Sequence, residues 1–146
     1  MKHDIASIEH LSDLSSFEEI VDVRSPAEFA EDHVPGSRNC PVLDDRQRCE
    51  VGTLYKQVSA FAARKVGAAY VAENIAQHLR QHFAERPRDW RPLVLCWRGG
   101  QRSASLTHVL RQVGWDAQQL AGGYRTYRRL VVAALNELPL GLRLKV

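Results

Sequence analysis

Residues 92–103 read Pro-Leu-Val-Leu-Cys-Trp-Arg-Gly-Gly-Gln-Arg-Ser. Pro92 to Cys96 has the composition of a strand buried on both faces of a parallel sheet. Gly99 and Gly100 then let the backbone curl, and Ser103 to Val113 fits a helix that Gly114 stops. In open parallel sheets, ligands bind off the carboxyl ends of the strands, so a cysteine at this junction is the candidate reactive residue. Successive loop N–H groups can converge into an anion-binding nest, and the helix start adds its positive end. Arg98 and Arg102 add permanent positive charge. Arg98, Gly99, Gly100, Gln101, Arg102 and Ser103 are therefore the predicted anion- and substrate-binding loop around Cys96. Everything in it favours negative charge on sulfur, which makes Cys96 the expected nucleophile and the expected holder of a persulfide or perselenide anion. Cys40 and Cys49 have no such surroundings and are expected to be inert.

Outward from this stretch, Glu19-Ile-Val-Asp-Val23 reads as a second short buried strand. It runs into Ser25-Pro26-Ala27-Glu28, where Ser25 can cap a helix, Pro26 suits its first position and Glu28 completes a capping box. His33-Val-Pro-Gly36 signals a turn, and Ser37 to Pro41 returns to the sheet. Between residues 59 and 85 the apolar side chains of Phe61, Ala69, Ala72, Ile75, Ala76, Leu79 and Phe83 keep a three-and-four spacing, which predicts one long amphipathic helix. A strand around Ala117–Leu120, a Gly122-Gly123 turn and a helix from Tyr124 to Leu138 complete the pattern. Strands alternating with helices indicate an α/β fold, a mainly parallel central sheet flanked by helices. No repeat or linker interrupts it, so residues 1–146 are expected to form one domain.

The length of 146 residues suits one domain with a sizeable core. No apolar run approaches the roughly 20 residues that span a bilayer, and the N-terminus lacks the apolar block of a signal peptide. Three cysteines without CxxC spacing argue against a disulfide framework or a zinc knuckle and for a reducing cytoplasm, with no metal expected. Residues 1–50 hold twelve acids against five Lys and Arg, whereas residues 51–146 hold five against fifteen. That asymmetry points to a basic face toward an anionic partner such as nucleic acid, with a merely solvated basic surface as the alternative.

Two motifs carry a resemblance. Asp22-Val-Arg-Ser-Pro-Ala-Glu-Phe29, followed by His33-Val-Pro-Gly-Ser37, resembles the N-terminal motif of rhodanese domains, and Gly122-Gly123-Tyr124 resembles their C-terminal motif. Tyr127 stands where a Trp is common. Closer still is the rhodanese domain of the tRNA 2-selenouridine synthases. Cys96 to Ser103 looks like their active loop, and Gly52 to Gln57 with Ala62 to Gly67 looks like their insertion, a helical segment around residues 44–85. That family uses selenophosphate to replace the sulfur of wobble 2-thiouridine in tRNA with selenium, and is associated with geranylation of the same sulfur. The resemblance implies that Cys96 is catalytic and that selenophosphate is a donor substrate, with no tightly bound cofactor. It also implies that tRNA is the partner, contacted through Lys56, Arg64 and Lys65, with Tyr55 nearby. Asp22 and Arg24 match the first motif, either as RNA contacts or as structural support.

The family also carries a C-terminal P-loop domain, and this sequence contains no G-x-x-x-x-G-K-[ST]. The stretch 142–146 alternates like a strand and reads as the start of that absent domain, so the family's complete reaction is not expected of this chain alone. Three rivals stand beside this reading. Cys96 and Arg102 have the C-x5-R spacing of cysteine phosphatases and arsenate reductases, although Leu95 replaces the His common before such a cysteine and the loop holds no acid for a leaving alkoxide. The second rival is a generic thiosulfate or persulfide sulfurtransferase. The third is a module that only docks partners, which leaves Cys96 and its cationic loop without a role.

Overall fold

The computed structural model describes residues 5–138, so the 142–146 stretch lies outside the described residues. The strands are β1 (Ile5–Ala6), β2 (Glu19–Asp22), β3 (Arg38–Asn39), β4 (Pro92–Leu95) and β5 (Gln118–Leu120). They form one parallel sheet in the order β1-β5-β4-β2-β3. Val21 pairs with Val94 and Asp22 with Leu95, which leaves Cys96 one step beyond the end of the central strand.

Side chains alternate across this sheet. Val21, Val23, Val94 and Cys96 point into one core with Ile75, Phe83, Trp90, Leu106 and Leu110. Leu93, Leu95 and Leu120 point into the other, with Ile8, Val34 and Tyr124. Each fully buried Leu, Val or Phe contributes roughly 1.5–3 kcal/mol, so the two cores hold the strand ends rigidly. The first core is roofed by α3 (Ala60–His78) and α4 (Gln101–Val113), the second by α5 (Gly123–Asn136) and a 3₁₀ turn at Leu11–Ser16.

The capping box before α1 (Pro26–Glu31) forms as the sequence predicts, with Glu28 Oε1 accepting from both the N–H and the hydroxyl of Ser25 at 3.1 Å. The predicted insertion is a helical hairpin of α2 (Asp45–Gln57) and α3. Asp44 and Gln47 cap α2 reciprocally, and Ser59 caps α3. Asn74 ties the hairpin down by donating to Val42 O and Gln47 Oε1, both at 2.9 Å.

The predicted single helix over 59–85 is corrected in two respects. It passes into a π-helical turn at Leu79–Phe83, and its buried stripe is Ala63, Gly67, Ile75 and His78, whereas Phe61, Ala69 and Ala72 are exposed. The packing of α2 against α3 explains the change, since the hairpin partner selects the small residues Ala63 and Gly67 for close approach. Helix α4 begins two residues earlier than predicted, at Gln101, and no helix among the described residues is long and apolar enough to cross a membrane.

Candidate active site

Cys96 is 3% exposed and faces the first turn of α4. Its Sγ accepts from the Gly100 N–H at 3.3 Å and lies 3.1 Å from Ser103 Oγ. Gln119, on β5, brings its side-chain amide to within 2.9 Å of Ser103 Oγ, 2.9 Å of Gly99 O and 3.1 Å of Gly100 O. With the amide donating to it, the Ser103 hydroxyl can turn its own proton toward either sulfur or Gly100 O, 3.2 Å away. Of the expected convergence of successive loop N–H groups, one backbone N–H, that of Gly100, reaches the sulfur, with the Ser103 hydroxyl beside it.

The loop is pressed against the start of α5. Tyr124 N–H donates to Cys96 O at 2.7 Å and Arg125 N–H to Trp97 O at 3.2 Å. Gly123 has φ +59°, and a Cβ there would come within 2.4 Å of Cys96 O. Gly99 has φ +74°, and a Cβ there would stand 2.9 Å from Leu120 O. Both glycines are required by backbone packing on backbone. The Gly122-Gly123 turn of the sequence reading therefore has a second role, as the floor of the loop.

Beneath the loop, Arg24 and Asp22 form a buried pair at 2.8 Å, 2% and 0% exposed. Arg24 also donates to Asp32 O at 2.7 Å and lies 4.2 Å over the Tyr124 ring, while the Tyr124 hydroxyl donates to the Asp32 carboxylate. Burial, reinforced by that bond to Asp32, pushes the Tyr124 phenol up to about 12. Of the two roles open to Asp22 and Arg24, their burial leaves support: neither is accessible to RNA.

Arg102 is committed elsewhere in part. Its guanidinium binds both oxygens of Glu28, at 2.7 and 3.4 Å, and Arg48 reaches the same carboxylate at 3.6 Å. Burial acts to raise the Glu28 pKa, but the bond and charge of Arg102, the Ser25 N–H and Arg48 together hold it below the usual carboxylate value. Arg98 and the side chain of Gln101 are exposed beside the loop.

A cleft of about 1400 Å³ runs between the α2–α3 hairpin and the start of α4. Arg48, Tyr55, Lys56, Arg64, Arg102 and His108 line it, with Asp45 as the acid among them. Lys65 is absent from this lining; it extends 5.9 Å from the Phe61 ring. The fold therefore brings Lys56 and Arg64 together with Arg102 and leaves Lys65 apart.

Sequence reasoning missed Gln119 and the partnership of Glu28 with Arg102. No local signal could have found Gln119, because its bonds cross sixteen to twenty residues of chain. Glu28 was legible as a cap, and its second bond spans 74 residues.

The profile of the Rhodanese-like domain family matches residues 7–130. The tRNA 2-selenouridine synthase of Nitrosomonas europaea is 35% identical over 118 residues, 80% of this chain and 31% of that protein. That of Salmonella agona is 36% identical over 120 residues, 82% of this chain and 33% of that protein. The chain thus spans about a third of the length of the curated relatives it matches. Among solved structures, the N-terminal domain of a protein named for ATP/GTP binding, from Clostridium difficile 630, superposes with a TM-score of 0.73 at 30% identity, covering 88% of this chain and 98% of that one. A rhodanese-related protein of Thermoplasma volcanium shares the fold, with a TM-score of 0.53 at 19% identity over 86% of this chain and 90% of that one. With a parallel sheet that ends in Cys96, a loop packed on Gly123 and a family profile spanning residues 7–130, the chain belongs to the rhodanese-like domain family.

Proposed function

We propose that Cys96 is the chalcogen carrier of this domain, serving an enzyme that replaces the sulfur of a tRNA 2-thiouridine with selenium from selenophosphate. The carrying observation is the setting of Cys96 Sγ, between the Gly100 N–H and the Ser103 hydroxyl at the first turn of α4. The Gly100 N–H is a preorganised donor to negative charge, the Ser103 hydroxyl joins it when its proton turns from Gly100 O to the sulfur, and the Gln119 amide holds the loop that presents them. The sulfur reaction tests the carrier alone. The Cys96 thiolate attacks the outer sulfur of thiosulfate, a new S–S bond forms, and sulfite leaves with the electron pair of the broken one. The terminal persulfide anion then inherits the thiolate's donors. Arg98 and the start of α4 attract the anionic donor, whether thiosulfate or selenophosphate.

The selenium and tRNA parts of the reading rest on similarity to the selenouridine synthases and on the basic cleft beside the loop. Under this reading the domain works in the cytoplasm without a tightly bound cofactor, and a further nucleotide-binding domain completes the reaction. The generic sulfurtransferase shares the carrier step and differs only in its acceptor. Phosphatase chemistry is disfavoured because Glu28, the carboxylate bound to Arg102, is kept ionised and is no proton donor.

Incubation with thiosulfate is expected to add the mass of one sulfur, removable by dithiothreitol. The adduct should vanish in Cys96→Ser and persist in Cys49→Ser. An adduct that survives Cys96→Ser would sink the assignment. Aryl phosphate hydrolysis well above the Cys96→Ser background would favour the phosphatase instead.

A further inference from the structure

Away from Cys96, behind the edge strand β3, Cys40, His78 and His82 each offer one ligand atom, and these atoms all lie within 4.8 Å of one another. Cys40 is fully buried, its N–H donating to Asp22 O at 2.9 Å. His78 is 8% exposed and comes from the end of α3. His82 follows four residues later on the π-helical turn Leu79–Phe83, its ring stacked 5.7 Å from that of His78. Such turns interrupt a helix at some cost and concentrate at functional sites.

The second observation concerns His78. One ring nitrogen, Nε2, lies 2.7 Å from Pro41 O, which can only accept, so Nε2 carries the proton. That leaves Nδ1 with its lone pair, buried and without a hydrogen-bond partner. It is the one such side-chain atom among the described residues. An unpaired buried lone pair on a histidine whose other nitrogen is oriented by a carbonyl is the arrangement that metal-bound histidines adopt.

We propose that Cys40, His78 and His82 bind a thiophilic divalent cation, Zn²⁺, as a clip between the β3 exit and the end of α3. The donor set of one sulfur and two imidazoles suits Zn²⁺, which prefers Cys and His in tetrahedral array. Bonds of about 2.3 Å to sulfur and 2.0 Å to nitrogen keep ligand atoms about 3.5 Å apart, so the side chains must close by roughly 1 Å. The half-buried His82, on its irregular turn, is the side chain free to make that movement. Three protein ligands leave a fourth position, filled by water from the exposed side of His82. Binding replaces the Cys40 thiol proton by the metal and releases that proton to solvent, while both imidazoles bind neutral. The nearby acids are already paired, Glu19 with Arg38 and Arg86 and Asp22 with Arg24, so they complete no ligand set.

Co²⁺ is the probe, added to the chelator-treated full chain. Expected is one Co²⁺ per chain, with a thiolate-to-cobalt charge-transfer band and the intense visible bands of tetrahedral geometry, displaced by Zn²⁺. The double variant Cys49→Ser/Cys96→Ser should keep that spectrum, which removes the other thiols as its source. Cys40→Ser should abolish the charge-transfer band. His82→Ala, a half-buried change that leaves the core packed, should weaken binding at least tenfold, as even the loss of a supporting group does at such sites. The proposal is overturned if the chain gives no tetrahedral cobalt spectrum, or if the spectrum survives Cys40→Ser or is lost in the double variant.

Discussion

Three thiols in one chain meet three different environments. Burial pushes the Cys40 thiol up to about 12, Cys49 is exposed on α2, and Cys96 has the Gly100 N–H on its sulfur with the Ser103 hydroxyl in reach. Iodoacetamide at pH 6, followed by peptide mass spectrometry, is expected to label Cys96 first, Cys49 later and Cys40 only on unfolding. Labelling of Cys49 ahead of Cys96 would mean that the donors do not activate the sulfur. Ser103→Ala removes one potential donor to the sulfur, while the Gln119 amide keeps Gly99 O and Gly100 O as acceptors. A lost hydrogen bond to a charged group costs about 1.5–3 kcal/mol, so thiosulfate loading should slow by roughly ten- to a hundredfold with the fold retained. Gly123→Ala acts differently, because its Cβ would drive into Cys96 O and its φ is left-handed. Strain of both kinds amounts to about 3 kcal/mol or more, and both melting temperature and loading should fall.

Between elements, the bond from Glu28 to Arg102 joins α1 to α4, and Arg48 brings α2 to the same carboxylate. Because the folded Glu28 pKa is depressed, its contribution to stability is present above the unfolded value of 4.5 and is lost as pH falls through the folded one. Glu28→Gln should therefore be less stable than wild type at pH 7, and the two denaturation curves should converge on acidification below about 4.5. A difference that persists unchanged at pH 3 would show that the residue acts by packing and not by charge. The caps and strands of α1, β2 and β4 were legible because Ser25, Pro26, Glu28 and the unbroken apolar run Leu93-Val94-Leu95 are local signals. The exposed face of α3 was not, since Phe61 and Ala72 are as apolar as the residues actually buried, and only contact with α2 decides between them. Strand β1, at two residues, is too short for any alternation to register.

For the molecule as a whole, the excess of basic residues after residue 50 was visible in the sequence, but their gathering into one cleft was not. Lys56 and Arg64 line it with Arg48 and Arg102, and Lys65 does not. If single-stranded tRNA regions occupy this cleft, each phosphate contact contributes about −0.7 to the log–log salt slope. Lys56→Ala/Arg64→Ala should flatten the slope by about 1.4, two such contacts, and Lys65→Ala by nothing measurable, with Cys96 alkylation unchanged in both. Absence of salt-dependent tRNA binding at low ionic strength would return these residues to ordinary surface.

The sheet order also sets a timetable for synthesis. Ile5 pairs with Gln119 and Ala6 with Leu120, so β1 has no neighbour until β5 leaves the ribosome. Until then β4 has β2 on one side and an open row of backbone donors and acceptors on the other. Once made, β5 closes a short loop onto β4 and only β1 must close a long one, so the central strand and its cysteine are seated before the β1 edge is.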